Sequence, residues 1–299
     1  MWTNVYNKYS FFELKNIDWL AVKNKYAAQI DTVKTEVGLF DVLASTLNEL
    51  QDGHVNIFAP FDFSRSWSWY LNYPQNFNKY ILERNYLGTN YRVTGALTNQ
   101  IINGVGYIRY SSFENGVSGS DLDFVLKRFA DLPGIIIDVR DNGGGSPLNA
   151  FTIASRFTTE TTHVYSSSLK NGPGQHEFSP SEKVYLSPYK GINYTKKVVI
   201  LTNRLCYSAT NLFVAIMSNL PNATIIGDTT GGGGGIPVNA ELPNGWTYRF
   251  SATVTTLPNG QNIETGIAPT LKVDLSPADE AAGIDTILET AINFIKNSK

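Results

Sequence analysis

Histidine is scarce in this sequence: among 299 residues, His54, His163 and His176 are the whole supply. A mechanism that needs a histidine base therefore has few candidates. Cysteine is scarcer still. Cys206 stands alone, which excludes an intramolecular disulfide and leaves the redox compartment open. No apolar run approaches the roughly 20 residues that a membrane-spanning helix needs, so no transmembrane segment is expected. The opening residues Met1-Trp2-Thr3-Asn4 lack the basic-then-apolar pattern of a secretory leader. Lys and Arg form no run, and 24 of them against 26 Asp and Glu give a net charge of −2. That balance carries no electrostatic footprint of a nucleic-acid binder. His54 has no second His or Cys at ligand spacing, so no metal site is expected. No internal repeat is visible. What is present is 42% hydrophobic and 17% charged residues, a globular balance in a chain long enough to bury a sizeable core.

Periodicity divides the chain into expected elements. Asp18 caps an amphipathic helix that continues through Tyr26 and Ile30 to Val33. Gly38 breaks that pattern. A second helix is expected at about 40–50, with Phe40, Val42, Leu43, Leu47 and Leu50 on one face. Asp52-Gly53 stops it, and 54–58 alternates like a strand. Residues 59–103 are aromatic, Asn-rich and weakly periodic, so short strands and loops are expected there. From Gly104 strands and helices alternate. Strands are expected at 105–110, 135–137, 198–201 and 224–227, and helices at 122–132, 148–157 and 209–217. A closing helix at about 278–295 follows a Ser276-Pro277 cap. Such alternation predicts an α/β core.

Three loops behind expected buried strands carry the residues with chemical potential. The first is Asp138-Val139-Arg140-Asp141-Asn142-Gly143-Gly144-Gly145. Its glycines let backbone N–H groups converge on one point. An oxyanion hole uses that arrangement, and so does a phosphate cradle. No Gly-Lys-Ser/Thr follows, which weakens the phosphate reading; a plain tight turn is the bland one. The second loop runs from Asn203 to Thr210 and sets Ser208 at a helix start. A serine there is usually a cap. As a nucleophile it would sit where a helix N-terminus favours negative charge. The loop has no Gly-x-Ser-x-Gly elbow, which argues against an α/β-hydrolase. Cys206 is a rival nucleophile with His54, ranked below Ser208 because a lone cysteine is more often small core packing. The third loop is Asp228-Thr229-Thr230 and the glycine run 231–235. It reads either as a mobile surface loop or as the border of a substrate groove, with Gly231, Gly232 and Gly233 as groove candidates. His163 and His176 have no motif around them.

Together these segments resemble the tail-specific (C-terminal processing) serine peptidase family, which includes the tricorn protease core and the interphotoreceptor retinoid-binding protein. Leu47-Asn48-Glu49-Leu50-Gln51-Asp52-Gly53-His54 is similar to the family's Leu-x-x-Leu-x-Asp-x-His segment. Residues 134–145 resemble its strand and Asp-Leu-Arg-x-Asn-x-Gly-Gly turn. Val199-Ile200-Leu201-Thr202-Asn203 through Tyr207-Ser208-Ala209 resembles its nucleophile segment. Residues 223–232 resemble the strand and Gly-rich loop beyond it, and Ile263-Glu264-Thr265-Gly266-Ile267-Ala268-Pro269 its closing Gly-x-x-Pro segment. The motifs stand in family order and cover most of 47–269.

The resemblance implies a crotonase-like (Clp-like) α/β fold and cleavage of a peptide bond through an acyl-serine intermediate. One branch of the family uses a Ser–Lys dyad. The place of that lysine, counted from Ser208, is Gly233, and no lysine occurs from Val198 to Leu271. The tricorn-like branch uses Ser, His and a Glu before the closing segment, and Ser208, His54 and Glu264 match those places. On this likeness His54 takes the serine proton. Glu264 orients His54 directly or through a partner. The N–H groups of Gly143 or Gly144 and of Ala209 form the oxyanion hole. Gly53 occupies the place of the second serine that the tricorn arrangement has beside its His. The implied organisation is an N-terminal helical segment (1–60), a short aromatic β-rich segment without a PDZ module (61–103) and an α/β peptidase core (104–299). The expected partner is a peptide or protein substrate, with no nucleic acid, no cofactor and no metal. The family's habits imply an exported protein, periplasmic or at the cell surface. The alternatives are a non-catalytic peptide- or apolar-ligand-binding protein on the same fold, with 67–80 lining its pocket, and a structural surface module with an idle site.

Overall fold

Burial on both faces explains why the central strands read as unbroken apolar runs. The computed structural model describes residues 1–64, 67–173 and 176–297. Its main sheet has seven strands, ordered Leu271–Lys272, Ala223–Gly227, Lys197–Thr202, Gly134–Asp138, Val105–Arg109, Leu97–Ile102 and Arg92–Thr94. The first five are parallel, and the last two are each antiparallel to the strand before. Side chains along a strand alternate between faces. Ile135, Ile137, Val198 and Ile200 therefore meet the helices Gly119–Arg128, Pro147–Ala154 and Ala209–Met217 on one side. Ile136, Val199, Leu201 and Ile226 meet Ile287, Leu288, Ala291, Ile292 and Ile295 of the helix Thr286–Asn297 on the other.

A second core forms around Trp19. The helices Trp2–Lys8, Trp19–Thr32 and Glu36–Asn48 pack Val5, Trp19, Phe40, Leu43 and Leu47 against Ile57, Trp246, Tyr248 and Phe250. Those last four residues belong to, or border, an antiparallel sheet ordered Pro237–Glu241, Thr247–Ser251, Asn56–Ala59 and Asp62–Phe63. Asn56 pairs with Arg249 in it, so the chain just after His54 is stitched to the chain beyond the glycine run. A third sheet joins Thr253–Thr256, Thr162–Leu169 and Glu182–Leu186.

Several elements differ from the sequence-based expectation. The second helix starts at Glu36, not near residue 40, because the Thr35 side chain caps it by accepting from Gly38 N. Gly38 sits in the first turn and serves the cap. Within 59–103, the strands Arg92–Thr94 and Leu97–Ile102 extend the main sheet, and a helical turn Lys79–Ile81 opens into π-helical Leu82–Leu87. Arg65 and Ser66 of that stretch lie outside the described residues. The closing helix is two helices, Pro277–Ala281 and Thr286–Asn297, parted by Gly283 at φ 75°. No helix among the described residues is long and apolar enough to cross a membrane. The loops that follow Gly134–Asp138, Lys197–Thr202 and Ala223–Gly227 all leave the carboxyl ends of adjacent parallel strands, where open α/β sheets form their crevices.

Candidate active site

Ser208 joins the loop after Lys197–Thr202 to the helix Ala209–Met217, with φ 57° and ψ −121°. A residue with a Cβ avoids that region, and its neighbours must hold it there. Ser208 N–H donates to Gly232 O at 2.9 Å, and Tyr207 N–H donates to Asn142 O at 3.2 Å. The serine side chain accepts no cap bond from the helix. Its Oγ lies 2.9 Å from His54 Nε2 instead.

His54 stands beyond the turn that ends Glu36–Asn48. Its N–H donates to Asp52 Oδ1 at 2.8 Å, and its carbonyl accepts from Arg249 Nε at 3.0 Å. The ring lies 5.0 Å from that of Tyr207, which stacks on Trp69 at 3.7 Å. Trp69 Nε1 in turn donates to Arg204 O at 3.0 Å. Burial, opposed by Asp52 and aided by Arg249 and Lys15, brings the His54 imidazole down to about 4. The ring is therefore neutral at pH 7 and able to accept a proton.

Glu264 lies on the turn Ile263–Thr265, which the Asn262 side chain caps. Its Oε1 is 2.9 Å from Lys15 Nζ, and its Oε2 accepts from Gly234 N–H at 2.8 Å. No hydrogen bond joins Glu264 to His54 among the described residues. The carboxylate that touches His54 is Asp52. Asp52 is buried, accepts from Tyr207 Oη at 3.4 Å as well, and lies 3.9 Å from Lys15 Nζ. Burial and the charge of Asp52 push Glu264 up to about 7, against Lys15 and the Gly234 N–H. At Asp52 burial acts upward too, but Lys15 and His54 outweigh it and hold the carboxyl below its ordinary value. Of two buried carboxylates beside one lysine, Glu264 takes the first proton. Sequence reasoning missed both neighbours. Asp52 is a helix stop and the Asp of the Leu-x-x-Leu-x-Asp-x-His segment, neither of which gives it a role toward His54, and Lys15 has no local signal.

The glycines divide by what they do. Gly143 is exposed in the cleft, and its N–H has no acceptor among the described residues. The same holds for Ala209 N–H at the helix start. Gly144 N–H already donates to Asn142 Oδ1 at 3.0 Å. At φ 107°, a Cβ on Gly144 would come 2.7 Å from Tyr207 O and 2.9 Å from Ser208 Cβ. Only glycine lets the turn press against the serine loop. Gly231 and Gly232 are buried: a Cβ on the first would strike the Trp69 indole, and one on the second Glu264 O. Of the groove candidates, Gly233 reaches the cleft, followed by Gly234 and Gly235.

The cleft measures about 740 Å³, with Ser208 and His54 on its wall and Leu212, Ile263, Tyr165 and Val184 supplying apolar surface. Cys206 is outside it. The thiol is fully buried, lies 3.0 Å from Val139 O, and is pushed up to about 12 by burial, so it packs and does not ionise. His163 bonds Tyr165 O and Ser166 Oγ, and His176 faces Glu13 at the surface. No metal-binding cluster occurs among the described residues.

Residues 104–273, more than half of the chain, match the sequence profile of peptidase family S41, and residues 1–48 match that of the tricorn protease C1 domain. The chain belongs to peptidase family S41. A structure described as a "putative peptidase" from Parabacteroides merdae is 42% identical and superposes with a TM-score of 0.94 over 98% of this chain and 94% of that one. Mature CPAF complexed with lactacystin shares the fold, with a TM-score of 0.73 over 98% and 97% of the two chains at 12% identity. The carboxy-terminal processing protease CtpA of Bacillus subtilis is 27% identical over 177 residues, 58% of this chain and 36% of that protein. The chain thus spans roughly a third of the length of the curated relatives it matches.

Proposed function

We propose that this chain is a serine-type peptidase that works through an acyl-serine intermediate. The reading rests on the 2.9 Å contact between Ser208 Oγ and His54 Nε2 in an open cleft. In the first half-reaction Oγ attacks the substrate carbonyl carbon and His54 Nε2 takes the hydroxyl proton. The carbonyl oxygen becomes an oxyanion that accepts from the N–H groups of Gly143 and Ala209; each such donor stabilises the transition state by about 3 kcal/mol. The protonated His54 then gives its proton to the leaving amine as the C–N bond breaks. A water molecule repeats the sequence on the acyl-serine and frees Ser208. Glu264 contributes as a buried negative charge behind Asp52 and by fixing the Gly234 backbone. Gly144 keeps the two donor loops in contact.

The same reading takes the α/β core as crotonase-like, supported by parallel strands whose carboxyl-end loops carry the site. It keeps the division into an N-terminal helical segment, an aromatic segment and a peptidase core, and an exported location. The substrate is a peptide or protein. The likeness to CtpA, a carboxy-terminal processing protease, makes substrates with a free C-terminus the first to try.

The test is a peptide library incubated with the protein, with products read by mass analysis. The parent should cleave, Ser208→Ala should fall to background, and Cys206→Ala should keep most of the activity. A dead cysteine variant beside a working serine variant would overturn the choice of nucleophile. Equal trace rates in all three would leave a binding protein on a peptidase scaffold.

A further inference from the structure

Lys15 stands in the turn after the first helix, remote in sequence from every loop of the cleft, yet its ammonium lies between the two buried carboxylates. Nζ is 2.9 Å from Glu264 Oε1 and 3.9 Å from Asp52 Oδ2, and it donates to Gln51 O at 3.0 Å. The ammonium also lies over the Phe11 ring, 5.6 Å from its centroid. One step nearer the serine, two polar atoms are left open. His54 Nδ1 and Asp52 Oδ2 are both buried without a hydrogen-bond partner among the described residues. With Nε2 accepting from Ser208, the proton of neutral His54 belongs on Nδ1. A buried donor and a buried acceptor on side chains two residues apart, already joined through the backbone N–H, call for a shared role.

We infer that Lys15 and Asp52 are positioning residues of this site: Asp52 orients His54 and stabilises its cation, and Lys15 holds Asp52 and Glu264 together behind it. The inference rests on the serine peptidase reading. The charged and titratable groups around His54 are Asp52 from its own turn, Tyr207 from the serine loop, Arg249 from the strand Thr247–Ser251 and Lys15 from the N-terminal turn. Glu264 and Tyr9 stand behind, against Lys15 and Asp52. Lys15 disfavours protons on His54, Asp52 and Glu264, whereas Asp52 favours them on His54 and Glu264. Removing one or the other must therefore move the titrations in opposite directions.

The experiment measures kcat and KM against pH for the parent, Lys15→Met, Lys15→Arg and Asp52→Asn on a peptide that the parent cleaves. Lys15→Met should lower kcat about tenfold, leave KM near the parent value, and shift the His54 and Glu264 inflections to higher pH. Asp52→Asn should lower kcat about 100-fold and shift both to lower pH. Lys15→Arg keeps the cation and should restore most of the rate. A merely structural role reduces the active fraction without moving inflections. Inflections that stay in place, or shift the same way in both variants, would overturn the inference. If Lys15→Met does not fold, Asp52→Asn decides: parent-like rate and inflections would overturn it. A parent no faster than Ser208→Ala would remove the peptidase reading itself, and this inference with it.

Discussion

At Ser208 a side chain sits where glycine is at home, at φ 57°, and strain of that kind costs about 1–3 kcal/mol. Bonds to Gly232 and Asn142 hold the turn, and the hydroxyl is thereby aimed at His54 and not back at its own helix. Two titrations should follow from the groups behind it. His54 works as a base only when neutral, and it is held at about 4. Activity should therefore persist below the limb near pH 6.5 that an unperturbed imidazole would give, and fail as pH drops through about 4. Glu264, at about 7, gains its charge in a second step, and in the proposed mechanism a negative charge behind Asp52 favours the His54 cation formed in the transition state. The profile of kcat/KM should rise twice, and Glu264→Gln should erase the upper rise while keeping the lower one. A single limb at pH 6.5 in both proteins would contradict this electrostatic account. The pairing of Ser208 with His54 was legible because each lies in a motif whose neighbours are local. The coupling was not, because Lys15, Asp52 and Glu264 meet only when three distant segments fold together.

Among the elements, the loops after Gly134–Asp138 and Lys197–Thr202 matter most, since they carry Gly143 and Ala209, whose N–H groups the proposed mechanism uses as oxyanion donors. Their contact depends on Gly144, which has no room for a methyl group. Gly144→Ala should push the Gly143 turn away from Ser208 and cost about 100-fold or more in kcat, comparable to losing one oxyanion donor. Single-turnover acylation would read this directly, and an unchanged acylation rate would show that the turn takes no part. The short apolar strands 135–137 and 198–201 were legible from the sequence because burial on both faces leaves no polar alternation. The hairpin Pro237–Glu241 with Thr247–Ser251 was missed although Asn244-Gly245 is a hairpin signal. Its first strand mixes exposed Asn239 and Glu241 with half-buried neighbours, and five glycines precede it. The closing helix was read as one because its apolar positions continue across Gly283, whose positive φ breaks it.

Over the whole molecule the site is a junction of two cores. The sheet core supplies Ser208 and the glycine turns. The Trp19 core supplies His54, Asp52 and Lys15, and the pairing of Asn56 with Arg249 ties it to the strand that donates to His54 O. Composition cannot show such a junction; only the order of the motifs hinted that residues so far apart share a purpose. The most direct test of the central claim is covalent labelling with a fluorophosphonate, with the modified residue located by mass spectrometry. The account predicts one adduct on Ser208, lost in Ser208→Ala and slowed about 100-fold or more in His54→Ala. An adduct elsewhere, or Ser208 labelling that is indifferent to His54, would contradict it.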